Sequence, residues 1–213
     1  MMDAQTAAQR PTRREREAAR HRAEILEAAE AVFAESGFET ARMDVIARRA
    51  EFSVGTLYRF FESKEHLYGE LLSEKITHMD QTIQAALSEG SSPLDKIRRV
   101  FYVRIELFWR NRMFFSLLVR ETTGTLCNPR GRWAPYVMEP YNRFMEQLRA
   151  IFEDGVAQGE FKDLGADVLV LSFEGIMRAY FAHLGQQPSD SARNSDEEER
   201  ILAAFTNGAL NNA

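Results

Sequence analysis

Apolar side chains recur along this chain at the i, i+3, i+4, i+7 spacing that gives a helix one buried stripe, and no stretch shows the strict alternation of a strand. The pattern predicts a first helix from about Arg14 to Ser36, with Ile25, Ala29, Val32 and Phe33 inward and Gly37 as its stop. Pro11 breaks the chain ahead of it, so residues 1–18 read as a disordered basic arm and the start of that helix. Two short helices follow, Arg42–Ala50 and Val54–Phe61, joined by the turn Glu51-Phe52-Ser53. Met43, Ile46, Ala47 and Ala50 form the stripe of the first, with Thr40 as its expected N-cap. Ser53 is placed to cap the second, which buries Leu57 and either Phe60 or Phe61.

A fourth helix is expected from Ser63 to Ser88, carrying Leu67, Leu71, Ile76, Met79 and Ile83. Gly90-Ser91-Ser92-Pro93 interrupts it, with Ser92 as a cap and Pro93 in the favoured first-turn position. Further helices are expected over about Pro93–Arg110, Arg112–Thr122, Pro135–Gln158, Ala166–Leu184 and Asp196–Leu210. Thr123–Trp133 reads as a loop, and Gln186–Ser191 as a polar linker. The expected fold class is all-α with about nine helices: an N-terminal three-helix helix-turn-helix domain, then a larger helical domain.

The pair over residues 42–61 has two readings, a plain structural corner or a helix-turn-helix that reads DNA. Its exposed residues favour the second. Gly55 and Thr56 at the start of the second helix permit close approach to base edges or phosphates. Tyr58, Arg59 and Lys64 are donors of the kind that hold a phosphate backbone, and Lys64 follows the expected cap Ser63. With Thr40, Arg42, Ser53 and Val54 they make up the candidate DNA-binding set. Changes at Tyr58 or Lys64 are expected to weaken binding to every sequence, and changes at Val54 or Thr56 to alter which sequence is preferred.

Composition narrows the function classes. The 213 residues suit one large or two small domains, and 45% hydrophobic with 28% charged residues is an ordinary globular balance. A single cysteine, Cys127, excludes an internal disulfide framework and fits a reducing compartment. No apolar run is long enough to cross a bilayer and no signal-peptide core is present, so the expected location is cytoplasmic, with no membrane partner. A net charge of −5 argues against a protein that coats nucleic acid indiscriminately. The arginines are nonetheless crowded at one end: Arg10, Arg13, Arg14, Arg16, Arg20 and Arg22 face only Glu15 and Glu17. That run is either an arm for phosphates or a minor groove, or a solvated charge run.

Enzyme chemistry has little foothold. None of His21, His66, His78 and His183 has a glutamate three residues before it, and no HExxH, CxxC, P-loop or glycine-rich dinucleotide turn occurs. Glu74 and His78 share a helix face, which reads as two side chains in solvent rather than a metal site. Cys127 beside Arg130 and Arg132 is either an ordinary loop thiol or an oxidation sensor. No catalytic residue, metal or cofactor is expected.

The run Ile25-Leu26-x-Ala28-Ala29-x-x-x-Phe33-x-x-x-Gly37-Phe38, then Ile46-Ala47, then Ser53-Val54-Gly55-Thr56-Leu57-Tyr58-x-Phe60-Phe61-x-x-Lys64-Glu65-x-Leu67, resembles the TetR family of transcriptional regulators. The likeness spans residues 19–79, the family's whole DNA-binding domain. Two positions depart from it: Glu51 stands where the family usually has the turn glycine, and Ala41 where it often has the capping threonine. A positive φ at Glu51 would carry strain.

The resemblance gives residues 80–213 an expected role in ligand binding and dimerisation. In the family the last two long helices form a four-helix bundle across a twofold axis, which marks Val168, Leu171, Ser172, Gly175, Ile176, Ala179, Ile201, Ala204, Phe205 and Gly208 as a dimer face. From residues alone, the same faces equally complete a monomer's core. The middle helices of the family enclose an effector pocket, for which the candidate lining is Phe101, Ile105, Phe108, Trp109, Phe114, Leu118, Tyr136, Tyr141, Phe144, Phe173 and Met177. Each also fits ordinary core packing. Arg104, Glu121 or Arg178 are the candidates for an orienting charge. The implied function is a homodimeric repressor that binds a near-palindromic site on double-stranded DNA and is released by a small apolar or aromatic effector. A helical dimeric adaptor that no longer binds DNA is the alternative.

Overall fold

The computed structural model describes residues 12–115, 134–188 and 191–210. Eight helices lie among them: α1 (Arg13–Ser36), α2 (Met43–Arg49), α3 (Val54–Phe60), α4 (Lys64–Glu89), α5 (Pro93–Arg110), α6 (Ala134–Ala157), α7 (Ala166–Gln186) and α8 (Ser195–Ala209). Residues 112–115 are also helical. The rest of the expected helix to Thr122, the loop Thr123–Trp133, and with them Leu118, Glu121 and Cys127, lie outside the described residues, as does Arg10. The chain is all-α; the sole extended pairing among the described residues is an isolated bridge between Phe161 and Leu210. No described helix is long and apolar enough to cross a membrane. The chain divides into two compact units, Met1–Leu71 and Leu72–Ala213, and α4 runs unbroken through the division.

In the first unit, α1 opens on a capping box: Thr12 Oγ1 accepts from the Glu15 N–H, and Glu15 accepts from the Thr12 N–H at 2.7 Å. The helix stops at Gly37, whose φ of 77° is a conformation that L side chains rarely adopt. Ile25 and Phe33 from α1, Ile46 from α2, Leu57 from α3, and Leu67 and Tyr68 from α4 have no exposed surface. Phe33, Phe38 and Tyr68 form a ring cluster with centroids 4.9–5.9 Å apart. Of the two phenylalanines ending the second short helix, Phe61 is the buried one; it lies one residue past α3, as its C-cap.

Helix α2 starts later than its sequence suggested. Its N-cap is Arg42, in extended backbone, with no side-chain cap, and Thr40 is exposed and does not cap it. The helix closes in a Schellman motif: the Phe52 N–H donates to Ala47 O at 2.9 Å and the Glu51 N–H to Arg48 O at 3.2 Å. That geometry requires a left-handed residue after the cap, and Glu51 supplies it with φ 59°, the one non-glycine with positive φ among the described residues.

The second unit is built on α5, α6, α7 and α8, around Phe101, Ile105, Leu148, Phe152, Phe161, Phe173 and Met177. Gly155 is obligatory here, because a Cβ on it would meet the Phe161 ring at 2.2 Å. Within this core Arg104 and Glu174 form a buried ion pair. The guanidinium binds both carboxylate oxygens and lies 5.0 Å from the Phe144 ring and 5.6 Å from that of Phe181. By contrast, α4 is joined to α6 through polar groups. Arg143 binds Asp80 at 2.8 Å, and one turn on the Gln84 and Gln147 amides exchange two bonds of 2.7 Å.

Two stability predictions follow from these features. Glu51→Gly relieves a left-handed side chain, so it should stabilise the first unit by up to ~1 kcal/mol in urea melts; a loss of stability would show that the Glu51 side chain contributes more than its strain removes. Glu174→Ala leaves the Arg104 charge buried and unpaired, which should lower stability by ~3–5 kcal/mol, with most of it restored in Arg104→Met/Glu174→Leu.

Candidate nucleic-acid interface

The surface around α3 is set by its capping. Ser53 Oγ accepts from the Thr56 N–H at 3.0 Å and lies 2.9 Å from Thr56 Oγ1, fixing the first turn as expected. With Leu57 fully buried, helical geometry turns Val54, Gly55, Tyr58 and Arg59 to solvent. Val54 is 38% and Tyr58 50% exposed. A Cβ on Gly55 would touch nothing nearer than Ser53 Oγ at 3.9 Å, so the start of α3 is open to a close partner. Arg59 lies over the Phe60 ring, 5.6 Å from its centroid.

Four arginines around this helix are held by carboxylates. Arg42 donates to both oxygens of Asp44, at 2.9 and 3.3 Å, and Arg48 approaches the same carboxylate at 3.8 Å. Burial raises the pKa of that carboxyl, but the bonds and charges of Arg42, the Asp44 backbone and Arg48 outweigh this and hold it below the usual carboxylate range. Arg49 binds Glu35 at 2.7 and 2.8 Å, and Arg22 pairs with Glu70. Sequence reasoning passed over Asp44. The signal was its spacing, two residues after Arg42 and four before Arg48, which brings both guanidinium groups to one carboxylate.

Lys64 is placed differently from its expected phosphate role. Its ammonium donates to Phe38 O at 2.7 Å, Glu39 O at 3.0 Å and Ala41 O at 3.0 Å. All three N–H groups are thereby committed within the protein. Ser63 does cap α4, accepting from the His66 N–H at 3.1 Å.

The other candidate sets are distributed as follows. On α7, Val168, Leu171, Ser172, Gly175 and Ala179 form one exposed face, with Leu171 68% exposed; a Cβ on Gly175 would meet nothing within 4 Å. On α8, Ala204 and Gly208 are exposed. Ile176 and Ile201 are half-buried against the core, while Phe205 belongs to the core itself, 5.3 Å from Phe173 and 5.9 Å from Phe152. Phe205 sits among Leu202, Thr206 and Ala209, the inward side of α8, so it cannot line an outer face.

Of the proposed effector lining, Phe101, Ile105, Phe108, Phe114, Phe144, Phe173 and Met177 are buried, and Phe108 stacks on Phe181 at 5.3 Å. Trp109 is half-buried, Tyr136 is 41% exposed, and the Tyr141 hydroxyl accepts from Arg178 at 2.7 Å. Arg104 is neutralised by Glu174 and so supplies no free orienting charge. A separate cleft of about 470 Å³ lies between α4 and α5, bounded by Glu74, Lys75, His78, Thr82, Val103, Glu106, Leu107, Arg110 and Asn111. It shares no residue with the expected lining. No cluster of three or more metal-ligating side chains occurs among the described residues.

The first unit of this all-α chain presents a capped, outward-facing second helix, the arrangement of a helix-turn-helix. Residues 25–71 match the family described as bacterial regulatory proteins, tetR family. The chain is 37% identical over 76 residues to the HTH-type transcriptional repressor KstR of Mycolicibacterium smegmatis, covering 36% of this chain and 37% of that protein. With the uncharacterized regulator YhgD of Bacillus subtilis it shares 25% identity over 140 residues, 65% of this chain and 70% of the relative. Its matches to the KstR repressors thus span just over a third of their length. The fold is that of the ketosteroid transcriptional regulator KstR2 of Mycobacterium tuberculosis, with TM-score 0.74, 20% identity, and 98% and 100% of the two chains covered. It is also that of FadR from Bacillus subtilis in complex with stearoyl-CoA, with TM-score 0.65, 18% identity, and 87% and 98% covered.

The surface yields a pair of expectations for DNA-binding assays. Arg59→Ala removes a cation with no carboxylate partner among the described residues, and should reduce the salt slope of binding by about 0.9 if it holds one phosphate. Val54→Ala should leave that slope intact and change the preferred sequence. If both variants bind and discriminate as the parent does, α3 is not the reading helix.

Proposed function

We propose that this protein is a homodimeric, sequence-specific repressor that leaves its operator when a small apolar effector binds. The observation that carries the DNA half is the outward row on α3. Val54, Gly55, Thr56, Tyr58 and Arg59 lie on a helix whose opposite side is fixed by Leu57. Val54 and Thr56 suit base edges, and Tyr58, Arg59, Thr40 and Arg42 suit phosphates. Repression is taken from the relatives, which include repressors by name.

Dimerisation rests on the exposed face of α7. Leu171 and Val168 flank Ser172, Gly175 and Ala179, side chains small enough for a second helix to lie close, and Ala204 and Gly208 extend the face on α8. A twofold assembly supplies the second reading helix that a near-palindromic site requires, one helical turn of DNA, ~34–36 Å, away.

On this reading the effector binds among the aromatic side chains of α5, α6 and α7, which in this structure are packed together as core. The charges nearest it, Arg104 and Arg178, already hold Glu174 and Tyr141, so an apolar ligand fits better than an ionic one. FadR of Bacillus subtilis was solved in complex with stearoyl-CoA, whose acyl chain is of that class while its CoA moiety is anionic. Linkage follows through α4, which runs in one piece from the DNA-binding unit into the effector unit. A ligand shifts the DNA-binding equilibrium only by its difference in affinity between two states, typically ~1–3 kcal/mol.

The test is selection of bound duplexes from a random library, repeated with Leu171→Glu. The parent should enrich a near-palindrome. Leu171→Glu alters a side chain that is exposed in the single chain, so it should fold, sediment as a monomer, and lose operator affinity at least tenfold as one of two half-site contacts is lost. Absence of any enriched site from the parent would favour the adaptor.

A further inference from the structure

We infer that Lys64 is a positioning residue: it fixes the backbone ahead of α2, and through it the presentation of α2 and α3 to DNA, without itself holding phosphate. The inference rests on the DNA-binding reading above and adds a determinant of specificity that lies outside the reading helix.

An ammonium has three N–H donors and no acceptor. In Lys64 they go to the carbonyls of Phe38, Glu39 and Ala41, at 2.7, 3.0 and 3.0 Å, and none is left over. These carbonyls belong to the short segment between the Gly37 stop of α1 and the start of α2. That segment has one backbone bond of its own, from the Ala41 N–H to Gly37 O at 3.1 Å, and α2 has no side-chain cap. Unlike a capping hydroxyl, which accepts from the first N–H groups of a helix, Lys64 donates to the carbonyls ahead of α2 and so determines where the backbone leading into it lies.

The clamp is anchored at its base. The Lys64 ammonium sits 4.6 Å from the centroid of the Phe38 ring, which is packed in turn against Phe33 and Tyr68. Tyr68 lies one turn further along α4, on the same side as Lys64. The first two turns of α4 thus grip Phe38 with a charge and a ring. A cation in the first turn of a helix opposes the helix dipole, so helix stability does not account for lysine at this position. Three charge-assisted bonds to carbonyls do.

Since α2 and α3 are joined by the fixed turn at Glu51, displacing the start of α2 displaces both. Non-specific binding depends on charge near the duplex and tolerates such displacement. Base reading does not, because its contacts require side chains set in register with base edges.

The experiment compares the parent, Lys64→Arg and Lys64→Met on a selected operator and on random duplex, across a salt series, with helical signal monitored at the same temperature. Arginine keeps the charge but replaces a converging ammonium with a planar fork. Both variants should retain helical signal, lose operator affinity roughly tenfold, the scale of one misplaced base contact, and keep the parent's random-duplex affinity and salt slopes. The inference is overturned if Lys64→Arg binds the operator as the parent does, or if Lys64→Met lowers the salt slope by about 0.9, the mark of a lost phosphate contact. Melting of the first unit in the arginine variant overturns it too, by making Lys64 a stability residue. A parent that fails to discriminate operator from random DNA is a separate result, and counts against the DNA-binding reading.

Discussion

The first unit depends on burying a handful of large side chains beneath two very short helices. α2 and α3 have seven residues each, too few to hold their shape alone, since isolated helices below ~12–15 residues are marginal in water. Leu57 and Ile46, each fully buried, contribute ~1.5–3 kcal/mol apiece only because α1 and the start of α4 close over them. Outward placement of Val54 and Tyr58 follows from the same constraint. With one face of α3 committed to Leu57, everything on the other must meet solvent or a partner.

The second unit solves a different problem. Its four main helices share an aromatic core, yet α4 is tied to α6 by an ion pair and an exchanged pair of amides. Such groups bond to water almost as well as to each other, so each contributes only ~0.5–1.5 kcal/mol net. They are also directional, and a slide of α4 by one residue, ~1.5 Å, breaks both. Leu87 and Ile83 also pack α4 on the core, so these polar contacts set its register rather than hold it alone. The Arg104–Glu174 pair behaves in the opposite way. Walled by Phe144 and Phe181, with the Glu174 carboxylate almost wholly out of water, it pins α5 to α7.

Much of the fold was legible in the sequence because helical periodicity, glycine stops and hydroxyl caps are local signals. Gly37, Ser53, Ser63, Ser92 and Pro93 act where the pattern placed them, and the outward row on α3 followed from the position of Leu57 alone. What was not legible depended on distant partners. Thr40 looked like a cap, but the segment that contains it is organised by Lys64, more than twenty residues away in sequence. Phe205 looked like part of an outer face because small residues surround it in sequence, whereas a one-position shift in helical phase carries it into the core. Arg104 looked like a free charge because nothing local reveals that Glu174, on another helix, neutralises it.

The charge arrangement explains how an acidic protein can be a DNA reader. Arg42 and Arg48 share Asp44, Arg49 holds Glu35, and Arg22 holds Glu70, so these cations reach a duplex already paired. A guanidinium that must leave a carboxylate to take a phosphate exchanges one partner for another and gains less than a free one. The sequence-independent part of binding is reduced accordingly, since it grows with the number of unpaired cations near the phosphates. Under the proposed function, contacts through Val54, Gly55 and Thr56 carry no such reduction, because they involve no charge. The acids around the interface therefore lower overall affinity while raising the ratio of specific to non-specific binding, which is the quantity a regulator needs among a genome of competing sites.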